Sequence, residues 1–198
     1  MKALNLALLQ WIAAGYEPSP WLLPVASAIA LGAAWAGMAL MGWAAWRRPS
    51  ERGYVMATLA FAVATAVIAH AIATALNLPR PFMLGLSPAY IAHGARGSLP
   101  SAHAAVMFTV ALVFLLRPRL RDLGIGVAAL AAITGWARVY VGVHFPVDIV
   151  AGLLLAVVMA GVFVGVPRLW RRHVAPRIAR GDLRVRAPVF DADPQRRA

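Results

Sequence analysis

Three ionisable side chains, Arg138, His144 and Asp148, lie in the otherwise apolar stretch Ala137-Arg138-Val139-Tyr140-Val141-Gly142-Val143-His144-Phe145-Pro146-Val147-Asp148. Charge in such surroundings is expensive and by default marks a working site. His144 and Asp148 are four residues apart, a spacing that puts two side chains on one face of a helix. A carboxylate so placed accepts one imidazole N–H and leaves the other ring nitrogen free as a nucleophile. Arg138 offers a planar fork suited to phosphate.

Two further polar stretches supply the other half of such a site: Asn77-Leu78-Pro79-Arg80-Pro81-Phe82 and Gly97-Ser98-Leu99-Pro100-Ser101-Ala102-His103. Ser101 reads as a helix N-cap, with free backbone N–H groups following it. A helix N-terminus of that kind attracts an anion. His103 in the first turn is placed to protonate a leaving oxygen. Arg80 and Arg138 would neutralise the equatorial oxygens of a transferring phosphoryl group. His144 would attack phosphorus while Asp148 fixes its tautomer.

Each residue also has a plainer reading. Arg80 alone could be a snorkelling anchor, and Pro79 and Pro81 could simply end a helix. Ser101 could be only a cap, and His103 an interfacial histidine with a satisfied partner. His70 belongs to no motif and reads as a helix-packing hydrogen bond. His93 and Arg96 read as solvated loop side chains, and His173 as part of a basic tail. No pair of histidines has metal-ligand spacing and the chain has no cysteine, so no metal is expected.

The elements that must position these residues are membrane helices. The chain has 198 residues, 62% of them hydrophobic and 13% charged, well outside the soluble range. The lack of cysteine excludes disulfide and thiolate chemistry. A net charge of +12 would suggest nucleic acid in a soluble protein. Here the arginines lie between and after apolar runs, which points to membrane topology and to no nucleic-acid partner. Five strong spans are expected, at about Trp21–Trp46, Tyr54–Leu76, Ser101–Leu116, Leu123–Val141 and Val147–Val166. All should be helical, because lipid does not tolerate open sheet edges. Residues 3–15 look like a signal peptide but read as a retained interfacial or partly inserted helix, with Trp11 near the headgroups. The expected fold is therefore an all-α integral membrane protein. It is a bundle of five transmembrane helices plus a short N-terminal helix. The membrane domain covers 1–166, and a basic cytoplasmic tail covers 167–198, suited to anionic lipid headgroups.

Charge orients the spans. Arg47, Arg48 and Arg52 follow the first, Arg117, Arg119 and Arg121 follow the third, and an arginine-rich tail follows the fifth. These mark the cytoplasmic side. All three polar stretches then fall together at the opposite face.

Taken in order, the three stretches resemble the signature of the type 2 phosphatidic acid phosphatase superfamily over about residues 50–166. Arg80-Pro81 matches the end of its first piece and Pro100-Ser101-Ala102-His103 its second. Arg138, His144 and Asp148 match its third with both spacings intact. Within that superfamily the wording is similar to bacterial undecaprenyl-diphosphatases of the bacitracin-resistance type. The resemblance implies a metal-free, cofactor-free hydrolase of cell wall biogenesis acting on a membrane lipid. It implies a phosphohistidine at His144, orientation by Asp148 and a proton from His103. Arg80, Arg138, Ser101 and the backbone at Ala102 would hold the phosphoryl oxygens. It also implies a polyprenyl diphosphate substrate and a place in the bacterial inner membrane, with the site on the periplasmic face. Phosphatidylglycerol phosphate, phosphatidic acid, a lipid A phosphate, or a non-catalytic lipid-binding role are the alternatives.

Three positions depart from the signature. Ala73 stands where the family has a phosphate-binding lysine, Ala102 replaces a glycine, and Ala137 replaces a serine. Asn77 and Arg96 are the candidates to substitute for the lysine. A positive φ at Ala102 would be strained.

Overall fold

The polar breaks between apolar runs become helix ends. In a computed structural model that describes residues 2–170 and 172, six α-helices follow one another: α1 Lys2–Ile12, α2 Leu22–Arg47, α3 Arg52–Leu76, α4 Ala102–Leu115, α5 Arg121–Tyr140 and α6 Pro146–Leu169. No strand occurs among the described residues. The chain divides into two compact units, Met1–Gly161 and Val162–Ala198. The first contains every candidate site residue, and the second contains the final turns of α6. The basic tail expected over 167–198 lies, apart from 167–170 and 172, outside the described residues.

Local chemistry explains the boundaries. Prolines 49, 81 and 118 each sit at the start of a short 3-10 turn, where the missing N–H costs nothing. Asn77 closes α3 in the left-handed conformation, with φ 44°. Its N–H bonds the carbonyl of Ala73 at 2.9 Å. Asn tolerates that conformation better than most residues, and Pro79 then prevents any continuation.

Four helices are long and apolar enough to cross a membrane: α2, α3, α5 and α6. Their outward faces are apolar and bare, as Trp35 at 72%, Val63 at 58% and Val157 at 52% exposure illustrate. Surfaces of that kind need lipid against them. The expected third span is shorter than the others. With 14 residues, α4 is about 21 Å long, against a hydrocarbon core of about 30 Å. It is also the most enclosed helix, packed chiefly against α5 and α3, and eight of its 14 residues are buried.

Polar groups inside the bundle are satisfied locally. The hydroxyls of Thr58, Thr65, Thr109 and Thr134 each donate to the carbonyl four residues back, at 2.6–2.8 Å, the usual solution where water is absent. At the end carrying Arg47 and Arg48, the fully buried Glu51 accepts from Arg117 Nε at 2.7 Å and Arg119 Nη1 at 3.3 Å. The same end carries an Arg48–Asp122 ion pair. The largest buried apolar cluster among the described residues lies there, around Phe114, Leu120, Val127 and Ala44.

The first helix lies across the other end. Asn5 Oδ1 accepts the N–H of Val147 in the first turn of α6 at 3.1 Å. Leu9 packs on Val139 and Phe145, and Ala14 N–H bonds the carbonyl of Tyr140 at 2.9 Å. With 11 residues, α1 is about 16 Å long, too short to span. It rests on the end where α3, α5 and the connections to α4 and α6 meet, with Trp11 84% exposed.

Candidate active site

The α5–α6 connection supplies half of the site. Arg138 lies in the last turn of α5, only 2% exposed. The chain then turns through Gly142, whose φ is +77°. A Cβ there would come within 2.3 Å of the Pro88 carbonyl oxygen, so the position needs glycine twice over. His144 follows outside any helix, and α6 begins at Pro146. The expectation that His144 and Asp148 share a helix face is therefore corrected. They meet across the start of α6, where a carboxylate in the first turn is favoured by the free N–H groups.

One carboxylate oxygen gathers the local donors. Asp148 Oδ2 lies 3.2 Å from His144 Nδ1 and accepts the N–H of Phe145 at 2.8 Å. It also accepts the Ser98 hydroxyl. With Nδ1–H committed to Asp148, His144 Nε2 keeps its lone pair, and that nitrogen lies 3.2 Å from Arg80 Nη1. His144 is 3% exposed. Burial, reinforced by Arg138 and Arg80 and opposed by Asp148, pushes its pKa down from 6.5 to about 3. At neutral pH the ring is uncharged, the state a nucleophile needs.

Arg80 is held by three carbonyls. Its Nε donates to Arg96 at 2.9 Å, Nη1 to Val143 at 2.7 Å and Nη2 to Gly97 at 3.0 Å. It therefore ties the α3–α4 connection to the α5–α6 connection. Gly97 seats that connection on α3. A Cβ at Gly97 would fall 1.8 Å from the Ala73 carbonyl oxygen. Arg138 donates from Nη1 to Ala30 of α2 at 3.1 Å and lies 2.9 Å from His93 Nε2 through Nη2.

Among the described residues, two buried side-chain polar atoms have no partner: Ser101 Oγ and Arg138 Nε. Ser101 occupies the N-cap position of α4, yet its side chain caps nothing, which corrects the reading of that hydroxyl as a cap. Its own N–H bonds the carbonyl of Asp148 at 3.0 Å. An orphaned hydroxyl and an orphaned guanidinium N–H are costly unless an acceptor arrives. Ala102 opens α4 without a positive φ, so the feared strain is absent.

Arg80, Arg138, His144, Ala102 and His103 line one cavity of about 390 Å³. His103 in the first turn of α4 also lines a second, apolar cavity of about 290 Å³, walled by Met38, Leu59, Val63, Val106 and others. Among the described residues, no group of three His, Cys, Asp or Glu side chains could hold a metal ion.

The placements of His93, His70 and Asn77 differ from the sequence expectations. His93 is not merely solvated. It faces Arg138, and its ring meets that of His144 edge-on at 5.9 Å. Burial and the nearby Arg80 lower its pKa to about 4. His70 makes no helix-packing bond. Its Nε2 lies 3.2 Å from Arg96 Nη1, and both residues line the cavity. Asn77, proposed to replace the missing lysine, is exposed at its left-handed cap and does not line the cavity, whereas Ala73 does. Ser98 had no signal beyond its nearness to Ser101, and His93 only its place in a polar loop.

Residues 53–172 match the model of the PAP2 superfamily. Over 161 residues the chain is 33% identical to “Putative undecaprenyl-diphosphatase YbjG” of Escherichia coli (strain K12), with 80% of each chain covered. It is 30% identical over 112 residues to undecaprenyl-diphosphatase BcrC of Bacillus subtilis (strain 168), covering 57% of each. Among solved structures it is similar to Aquifex aeolicus LpxE, with a TM-score of 0.68 and 25% identity over 82% of this chain and 95% of that one. It shares the fold of a PAP2 type phosphatidylglycerolphosphate phosphatase from Bacillus subtilis, with a TM-score of 0.62 and 18% identity over 84% and 86% of the two chains.

Proposed function

The chain belongs to the PAP2 superfamily of membrane lipid phosphatases, and on that premise we propose that it hydrolyses the terminal phosphate of a polyprenyl diphosphate, undecaprenyl diphosphate above all. The observation that carries the reading is one cavity that brings His144 together with Arg80, Arg138 and His103. His144, with Nδ1 held by Asp148, and Arg138, with an unpartnered Nε, both line it, and the unpartnered Ser101 Oγ is buried between the lining residues Pro100 and Ala102.

In the proposed reaction, His144 Nε2 attacks the terminal phosphorus. The bond from phosphorus to the bridging oxygen breaks, and His103 gives its proton to that oxygen as the lipid monophosphate leaves. Arg80, Arg138, Ser101 and the first amides of α4 at Ala102 and His103 hold the equatorial oxygens as charge spreads over them. Water then attacks the phosphohistidine, His103 accepts the water's proton, and the P–N bond breaks to release phosphate. No metal enters these steps. The apolar cavity beneath His103 supports a lipid substrate, since it meets the phosphate cavity at the residue that handles the leaving group.

The arginine distribution supports a site on the extracytoplasmic face of a bacterial plasma membrane, with a cytoplasmic basic tail over 167–198. The test is phosphate release by the full chain in detergent from undecaprenyl diphosphate and phosphatidylglycerol phosphate, with and without chelator. The reading expects release from the diphosphate that chelator leaves unchanged. Release from the glycerophosphate alone would move the substrate assignment, and release from neither would favour the non-catalytic lipid-binding alternative.

A further inference from the structure

The cavity extends past the groups that hold a single phosphoryl unit. Its outer wall carries Arg96 and His70, with Arg96 Nη1 3.2 Å from His70 Nε2. Both side chains are exposed, in contrast to the buried Arg80 and Arg138, and both line the cavity that contains His144. The two layers are built by one segment. The Arg96 carbonyl accepts Arg80 Nε at 2.9 Å, so the residue that fixes an inner guanidinium places its own guanidinium further out. His70 is one turn before Ala73 and Thr74 on the α3 wall, and both of those residues also face the cavity.

The charges divide in the same way. The inner layer has two guanidinium groups, Arg80 and Arg138, and one carboxylate, Asp148. That excess of one positive charge suits a single phosphoryl group in flight. A diphosphate brings a second anionic centre, and Arg96 is the cation at the mouth of the cavity to meet it.

We propose that Arg96 and His70 form an outer anion subsite that holds the non-transferred phosphate of a lipid diphosphate and gives diphosphates their advantage over monophosphates. The inference rests on the diphosphatase reading above. In the empty cavity His70 Nε2 accepts an Arg96 N–H and parks the guanidinium on the α3 wall. With substrate present, Arg96 turns its fork to the inner phosphate of the diphosphate, and His70 adds a donor beside it.

The test compares wild type, Arg96→Ala, Arg96→Lys, His70→Ala and Ser101→Ala in detergent on undecaprenyl diphosphate and on phosphatidic acid. Arg96→Ala should lower kcat/KM on the diphosphate by about 10- to 100-fold, the size of a lost charged hydrogen bond. That fall should exceed its fall on the monophosphate at least tenfold. His70→Ala should show the same bias more weakly, and Arg96→Lys should retain part of the preference. Ser101→Ala should depress both substrates alike. A parallel fall on both substrates in Arg96→Ala, or no fall on either, overturns the subsite. A second arm measures binding of inorganic diphosphate and inorganic phosphate to the His144→Ala chain by calorimetry. Diphosphate should bind at least tenfold more tightly, and adding Arg96→Ala should erase that margin. A margin that survives Arg96→Ala, or no margin at all, also overturns it. A wild type that cleaves no lipid diphosphate but binds inorganic diphosphate through Arg96 would sink the functional reading and leave the subsite standing.

Discussion

At the scale of single residues, Asp148 organises the site. It receives His144, the Phe145 amide and Ser98 on one oxygen, so its loss should do more than remove a charge. Asp148→Asn should cut kcat by about 10²- to 10⁴-fold by releasing the imidazole tautomer. A steady-state assay with the folded variant checks this, and near-wild-type turnover would argue against the orienting role. The histidines also make a stability prediction. The pKa values of His144 and His93 fall from 6.5 to about 3 and about 4 in the folded protein. The folded state therefore binds fewer protons than the unfolded state between about pH 6.5 and pH 4. Stability should be fully present above pH 6.5 and decline as pH falls toward 4. Thermal unfolding in detergent at pH 7.5 and pH 5 measures the decline, and His93→Ala should flatten it. Arg138, His144 and Asp148 were legible in the sequence because charge within apolar sequence is conspicuous. His93 and His70 were not, because a histidine in a loop or at a helix end looks the same whether it faces water, lipid or a cavity.

At the scale of elements, the apolar runs located all six helices, and the prolines and Asn77 explain where several of them stop. The bounds of α4 were legible to about one residue at each end, but its enclosure by protein was not. Its sequence is apolar throughout because it is enclosed by protein, and periodicity does not separate that case from a full membrane span. Enclosure gives a prediction of its own. Phe114, fully buried where α2, α3, α4 and α5 meet, should cost about 3–5 kcal/mol when changed to alanine. A chemical unfolding curve in mixed micelles reads that loss. Gly97→Ala should be harsher on activity than on stability. It pushes the α3–α4 connection off the Ala73 carbonyl and displaces the carbonyl that holds Arg80, so kcat/KM should fall by about tenfold or more while the protein still purifies folded.

At the scale of the whole molecule, the first unit keeps its two polar chemistries at opposite ends. The Arg48–Asp122 pair and the Glu51 cluster sit at the end where α2, α4 and the start of α3 and α5 meet. The cavity lined by Arg80, Arg138 and His144 sits at the other. This separation follows from successive helices of the bundle running in alternating directions. The chain has no cysteine, so single cysteines report sidedness cleanly. Ala95→Cys should react with an impermeant thiol reagent from outside intact cells, and Arg119→Cys should not. The reverse pattern would invert the proposed orientation. The proposed reaction turns on a bond between phosphorus and His144, which rapid acid-free quenching during turnover of a terminally labelled lipid diphosphate detects. Label should appear on the peptide containing His144, be absent in His144→Ala, and be unaffected by chelator. Label on another residue, or turnover that survives His144→Ala, would contradict that reaction.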